Sequence, residues 1–190
     1  MPAFPAGGQT LAQRWKAFAV RRRTFITVAA AVPVLIVAQP TAAWYLAGLA
    51  LILLGVTIRL VASGYITKAV KLTTNGPFAL ARHPLYLGGL LIAGGFCAMT
   101  GAWYPFPLIA VLYAAVYWPT IEFEERFLAE RFGESYRAYC RIVPCFLPRL
   151  RLAPWSWEGF SWTRVRRNHE PSNIAGVAAF CAAFALKLLQ

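Results

Sequence analysis

NGPFALARHPLYLGGLLIAGGFCAMT, residues 75–100, decides how the rest of the chain is read. Asn75-Gly76-Pro77 is a turn signal, and a short extended piece leads from it to Arg82-His83-Pro84. Leu85 to Thr100 carries no charge, and its glycines, Gly88, Gly89, Gly94 and Gly95, let another helix or a ligand approach the backbone. Pro84 suits the first helical position, where its missing N–H is no loss. A cation and an imidazole thus stand at the mouth of an apolar helix, and this is where chemistry is expected.

Working outward, the 190 residues are 59% hydrophobic and 14% charged, too apolar for a soluble domain of ordinary composition. The apolar residues fall in runs. Phe25 to Ala38 is short for a span of about 20 residues and contains Pro33, while Ala43 to Ala62 is longer and ends near Arg59, which can snorkel. Gln39-Pro40-Thr41 separates them as a turn. After Leu85 to Thr100 comes a chargeless reversal, Gly101 to Pro107, and a fourth run, Leu108 to Ile121, with Pro119 near its end. Asn173 to Leu189 is a fifth run, either a span or an amphipathic helix lying on the membrane.

The fold expected is all-α and integral to the membrane, with four to five transmembrane helices in a single domain over residues 1–190. Its parts are a basic N-terminus (1–24), two helices (25–62), a core with a helical hairpin (63–148), a basic and aromatic segment (149–172) and a possible fifth helix (173–190). The N-terminal apolar stretch leads straight into a second run, so a cleaved signal peptide is not the expected reading.

The net charge of +12 does not mark a nucleic-acid binder, because its distribution follows the apolar runs. Five Lys/Arg lie in the N-terminal segment, three in 63–84 and nine in 122–172, whereas the turns near Pro40 and Trp103 carry none. By the positive-inside rule the N-terminus and both large loops face the cytoplasm, in a bacterial inner membrane or its equivalent. Cys97, Cys140, Cys145 and Cys181 form no CxxC, so no disulfide framework and no metal site is expected, and they read as small hydrophobes.

The fourth run passes into TIEFEERFLAERFG, residues 120–133. As a helix this groups Ile121, Phe123, Phe127, Leu128 and Phe132 on one face, with Glu124 near its middle and Glu125 at its edge. A carboxylate on an apolar face is costly unless a cation meets it. That cation is either a basic residue such as Arg82, in a purely architectural pair, or a cationic ligand. Glu122, Arg126 and Glu130 form a solvated face, and Gly133 is placed to end the helix in a left-handed cap. Ser135 then starts a short helix presenting Tyr136 and Tyr139 together, before Val143-Pro144 breaks the pattern. The hairpin of residues 85–121 returns both polar stretches to one membrane face, so a polar pocket at the helix ends follows.

With these residues in place, the chain resembles the isoprenylcysteine carboxyl methyltransferase and phospholipid methyltransferase group of integral-membrane enzymes. The resemblance covers roughly residues 72–148 and rests on GPFALARHPLYLG (Gly76 to Gly88) and EERFLAERFGESYRAY with its proline-containing tail (Glu124 to Pro148). It implies S-adenosylmethionine as cofactor and a lipophilic acceptor entering from the membrane lipids. It also implies that Gly76, Arg82, His83, Pro84, Tyr86, Glu124, Glu125, Tyr136 and Tyr139 form the cofactor pocket, with Arg82 and Pro84 fixing the turn. Members acting on prenylcysteine carry an arginine shortly before the Glu pair, whereas Trp118 to Glu122 here contains no basic residue. An amine acceptor would instead need a base, and the candidates are Glu122 and His83, with Glu124 as the third catalytic candidate. The expected function is methyl transfer from S-adenosylmethionine to a lipidic or lipid-anchored acceptor at the cytoplasmic face. The alternatives are an NADPH-dependent reductase akin to sterol reductases, which no GxGxxG supports, and a non-catalytic membrane scaffold.

Overall fold

The computed structural model describes residues 18, 26, 29–67, 71–149 and 157–190. Among them no strand occurs. The helices are α1 (29–37), α2 (Ala42–Tyr65), α3 (Pro84–Met99), α4 (Pro105–Ile142), α5 (Trp162–Arg167) and α6 (Glu170–Leu188), with a 3-10 turn at Gly76–Ala79. By length and composition α2, α4 and α6 can each cross a membrane, and α3 is a shorter apolar helix. The expected all-α membrane fold is the observed one. Apart from Phe18, the basic segment 1–24 lies outside the described residues, as do Lys68 and residues 150–156.

The centre of the bundle is an antiparallel pair, α2 against α3, packed backbone to backbone. A Cβ at Gly55 would lie 2.6 Å from the Gly88 carbonyl oxygen, and one at Gly95 would lie 2.6 Å from that of Gly48. Glycines seven residues apart on both helices make this approach possible, because two turns of helix return to the same face. Gly94, although adjacent, faces open space. Thr41 caps α2 by accepting from the Trp44 N–H at 3.5 Å. The Gln39 N–H donates to the Thr100 carbonyl at 3.1 Å, so the two chargeless turns meet at one end of the bundle.

The fifth apolar run is α6, starting at Glu170 rather than Asn173 and packing along α2 instead of lying apart on a surface. Two contacts to α2 set its direction antiparallel to that helix, and a third ties its far end to α1. Arg59 Nη2 meets Glu170 Oε1 at 2.7 Å, the Tyr45 hydroxyl donates to the Cys181 carbonyl at 3.3 Å, and Lys187 Nζ donates to the Leu35 carbonyl at 2.9 Å. Phe184 is buried with Val34, Ala38, Ile52 and Met99 in the main apolar cluster.

The fourth run does not end near Ile121. Helical structure continues through Pro119 and the charged stretch to Ile142, with one break at Gly133 (φ 53°, ψ −124°). This is not the left-handed cap expected there: the positive φ suits glycine, but ψ lies far from the helical range, so the chain bends and a second helical piece follows at once. That piece carries Tyr136 and Tyr139 as expected, both buried, with ring centroids 6.1 Å apart.

Candidate functional site

The polar centre forms where α3 begins and α4 has run its length back across the bundle. At 1.5 Å per residue, Pro105 to Glu124 covers about 28 Å, close to the roughly 30 Å of a bilayer core. That length brings the Glu pair level with His83 and Tyr86, at the end of the bundle opposite the chargeless turns. Pro84 opens α3 as expected, with His83 in the cap position.

The two adjacent glutamates have different partners. Glu125 Oε1 lies 2.8 Å from Arg82 Nη1 and 3.2 Å from His83 Nε2, and the Cys145 thiol points at it from 3.7 Å. Glu124 Oε1 accepts the Tyr86 hydroxyl at 2.6 Å. Arg82 was the expected architectural partner for Glu124, but it pairs with Glu125 instead, because the next position along the helix turns toward the start of α3. Tyr86 also stands against Tyr117 edge-on, with ring centroids 5.5 Å apart, and Tyr117 stacks on Tyr113 at 4.2 Å. The Tyr113 hydroxyl donates to the Tyr86 carbonyl.

A segment that sequence reasoning treated as a helix-breaking tail forms the third wall. The Arg82 N–H donates to the Pro144 carbonyl at 2.9 Å, the His83 N–H to Cys145 at 3.2 Å, and the Arg149 N–H to Leu80 at 3.1 Å. Residues 80–83 and 144–149 therefore run side by side, joined through their main chains. Prolines 144 and 148 lack N–H groups, so the segment cannot continue the helix and keeps its carbonyls free for this pairing. The Tyr139 hydroxyl locks the preceding turn from below by donating to the Phe78 carbonyl at 2.6 Å.

Cys140 and Cys145 are not incidental. Arg82 Nη1 donates to Cys140 Sγ at 2.9 Å, and Cys145 shares Glu125 with His83. Burial pushes the Cys145 thiol above its ordinary pKa, and the nearby Glu125 carboxylate adds to the rise. For Arg82 burial disfavours the charge, but Glu125 and the two cysteines outweigh it and hold the guanidinium above its usual value. No local sequence signal predicts this, because four residues separate the cysteines without a recognised ligand spacing.

The remaining expected residues divide. The space left by the missing side chain of Gly76 (φ +59°) is filled by the Tyr65 ring, 2.6 Å from where a Cβ would sit. Glu122 lies on the more exposed side, accepting from Trp118 Nε1 at 3.0 Å and pairing with Arg126 at 3.7 Å. The basic stretch 164–170 serves the fold: Arg164 donates to the Tyr65 and Gly159 carbonyls at 3.2 and 2.6 Å, satisfying the C-terminal end of α2.

The site can hold a zwitterionic ligand that carries a cation. It offers two carboxylates, a phenol cluster and an imidazole. Arg82 Nε and the Tyr136 hydroxyl are also buried with no hydrogen-bond partner among the described residues. Residues 42–135, which contain α2, α3 and both glutamates, match the family model for phospholipid methyltransferases. Over that range the chain is similar to this family of methyltransferases. It is 41% identical over 108 residues to a cobalt-zinc-cadmium resistance protein of Cupriavidus metallidurans, covering 57% of this chain and 48% of that one. It is 41% identical over 73 residues to methanethiol S-methyltransferase 2 of Bradyrhizobium diazoefficiens, covering 38% and 27% respectively. With protein-S-isoprenylcysteine O-methyltransferase B of Arabidopsis thaliana the identity is 34% over 82 residues, covering 41% and 40%. The chain spans about half the length of the metal-resistance relative, 48%. No solved structure matches it.

Proposed function

We propose that the protein transfers a methyl group from S-adenosylmethionine to a lipidic or lipid-anchored acceptor at the cytoplasmic face of the membrane. The observation that carries this is the joining of the RHPLY turn to the Glu pair through Arg82–Glu125, His83–Glu125 and Tyr86–Glu124. S-adenosylmethionine supplies an electrophilic methyl on a sulfonium centre, so the protein has mainly to orient two reactants and exclude water.

Glu124, oriented by Tyr86, is suited to the cofactor's ammonium or sulfonium charge. Arg82 Nε and the Tyr136 hydroxyl are suited to its carboxylate and hydroxyl oxygens, since neither atom has a hydrogen-bond partner among the described residues. Tyr139 and Pro84 hold the turn in which these groups stand. Glu125 favours the proton on His83 Nε2, leaving Nδ1 to accept one from an amine or thiol acceptor. Glu122, with its own partners on the exposed side, is the weaker base.

An apolar cleft of about 430 Å³ supports a lipophilic acceptor; Leu90, Gly94, Phe106 and Ala110 are among its lining. On α3, Leu90 and Gly94 follow Tyr86 at four-residue steps, and on α4 Ala110 precedes Tyr113 and Tyr117 on one face. A chain lying there would present its head to the tyrosines. The relatives compared are named for methyl transfer or metal resistance, which favours transfer over the reductase alternative.

The test is calorimetry of the detergent-purified protein with S-adenosylhomocysteine, followed by incubation with methyl-labelled cofactor and a membrane lipid extract. Folded wild type should bind the nucleoside and label a lipid-soluble product. Absence of nucleoside binding to folded protein would overturn the proposal.

A further inference from the structure

His83, Glu125 and Cys145 each place one ligand atom so that the three lie within 4.8 Å of one another. Nitrogen, carboxylate oxygen and thiolate sulfur together are the donor set of zinc-class cations. Spacing is the sharper criterion. Tetrahedral zinc, with bonds of about 2.0–2.3 Å, places a nitrogen and an oxygen ligand about 3.3 Å apart and a sulfur and an oxygen about 3.6 Å apart. Two of the three separations match, 3.2 Å for His83 to Glu125 and 3.7 Å for Cys145 to Glu125, and the third, His83 to Cys145, is within 4.8 Å.

We propose that His83, Glu125 and Cys145 form a binding site for one thiophilic divalent cation of the zinc class, with the fourth coordination position open. The ligands are held before any cation arrives. The His83 N–H donates to the Cys145 carbonyl at 3.2 Å, so two of the three ligand residues are joined through their main chains. The third stands on α4, whose second helical piece is fixed against the same turn by Tyr139. His83 is 5% exposed, whereas the Glu125 side chain is 29% exposed, which leaves an approach from solvent.

Arg82 is the obstacle, because its guanidinium already meets Glu125 Oε1 at 2.8 Å. It has a second partner to fall back on, because the same Nη1 already donates to Cys140 Sγ at 2.9 Å. Binding breaks the Cys145 S–H bond, forms a metal–thiolate bond and releases one proton to solvent. The two negative ligands then balance the dication, and Arg82 gives up Glu125 while keeping Cys140. Because His83 and Glu125 also stand in the proposed cofactor pocket, metal and nucleoside would compete.

Cobalt(II) titration of the full chain in detergent tests this, because a thiolate–cobalt bond gives a charge-transfer band in the near ultraviolet. The band should appear at one equivalent, be displaced by zinc and persist in Cys97→Ser. It should vanish in Cys145→Ser and require at least tenfold more cobalt in His83→Gln. Zinc should raise the melting temperature of the wild type and not that of Cys145→Ser, a readout independent of activity. No band in folded wild type, or a band that survives Cys145→Ser, would overturn the site. S-adenosylhomocysteine binding to the metal-free protein is read separately: cobalt without nucleoside binding defeats the methyltransferase reading alone, and nucleoside without cobalt binding defeats this one.

Discussion

Arg82 Nη1 and Glu125 Oε1 lie 2.8 Å apart, joining the turn before α3 to the far end of α4. Glu124, the preceding residue, instead accepts the Tyr86 hydroxyl at 2.6 Å. One glutamate thus joins the turn before α3 to α4 through a guanidinium and an imidazole, and the other is supported by a phenol.

The two should separate on substitution. Glu125→Gln removes the charge that Arg82 and His83 meet and should cost about 1.5–3 kcal/mol of stability. Glu124→Gln keeps an oxygen for Tyr86 and should cost less than about 1 kcal/mol, yet weaken nucleoside binding at least about tenfold. Thermal unfolding in detergent and calorimetry with S-adenosylhomocysteine read the two effects. Equal melting of the variants, or wild-type affinity in Glu124→Gln, would contradict the division of roles.

Adjacent glycines on α3 should behave oppositely. A methyl at Gly95 would press on the Gly48 carbonyl and Ile52, whereas one at Gly94 meets nothing within 4 Å. Gly95→Ala should therefore destabilise by about 1–3 kcal/mol, as overpacking does. Gly94→Ala should be neutral or slightly stabilising, because alanine has the higher helix propensity. Melting temperatures of the two variants decide the point.

Arg59 and Glu170 anchor α6 to α2 with a pair whose side chains are 23% and 4% exposed. Arg59 Nη1 also reaches the Leu85 carbonyl in the first turn of α3, at 3.4 Å. Glu170→Leu should cost about 3–5 kcal/mol, because it strands a largely buried cation. Adding Arg59→Met should recover much of that loss. If the double variant melts no higher than Glu170→Leu, the pair is not the source of the effect.

Gly133 should resist substitution although no atom lies within 4 Å of its missing side chain. Its φ of 53° with ψ −124° strains any L-residue, so Gly133→Ala should cost about 1–3 kcal/mol through the backbone alone. Straightening the helix there would withdraw Tyr139 from Phe78. Increased hydrogen exchange at residues 77–83 would report that movement, and unchanged exchange would argue against it.

Much was legible in the chain itself. Apolar runs separated by chargeless turns gave the helices, because a bilayer requires uninterrupted apolar length and internal backbone hydrogen bonds. Proline at the start of α3 and the RHPLY and EE motifs mark the polar centre in the sequence itself. Tertiary structure decided the pairings. Periodicity placed Glu124 and Glu125 on neighbouring parts of one helix, but which of them meets Arg82 depends on how α4 is rotated against α3. The matching seven-residue glycine spacing in α2 and α3 is visible in the sequence, but helix-to-helix register is not local information. The role of residues 144–149 was hidden for the same reason: prolines signal the end of a helix, whereas the partner of the freed carbonyls is supplied from residues 80–83. The sequence determined that the chain builds helices of membrane length with polar groups at one end. Only close packing in three dimensions decided which carboxylate, imidazole and thiol share an atom's width of space.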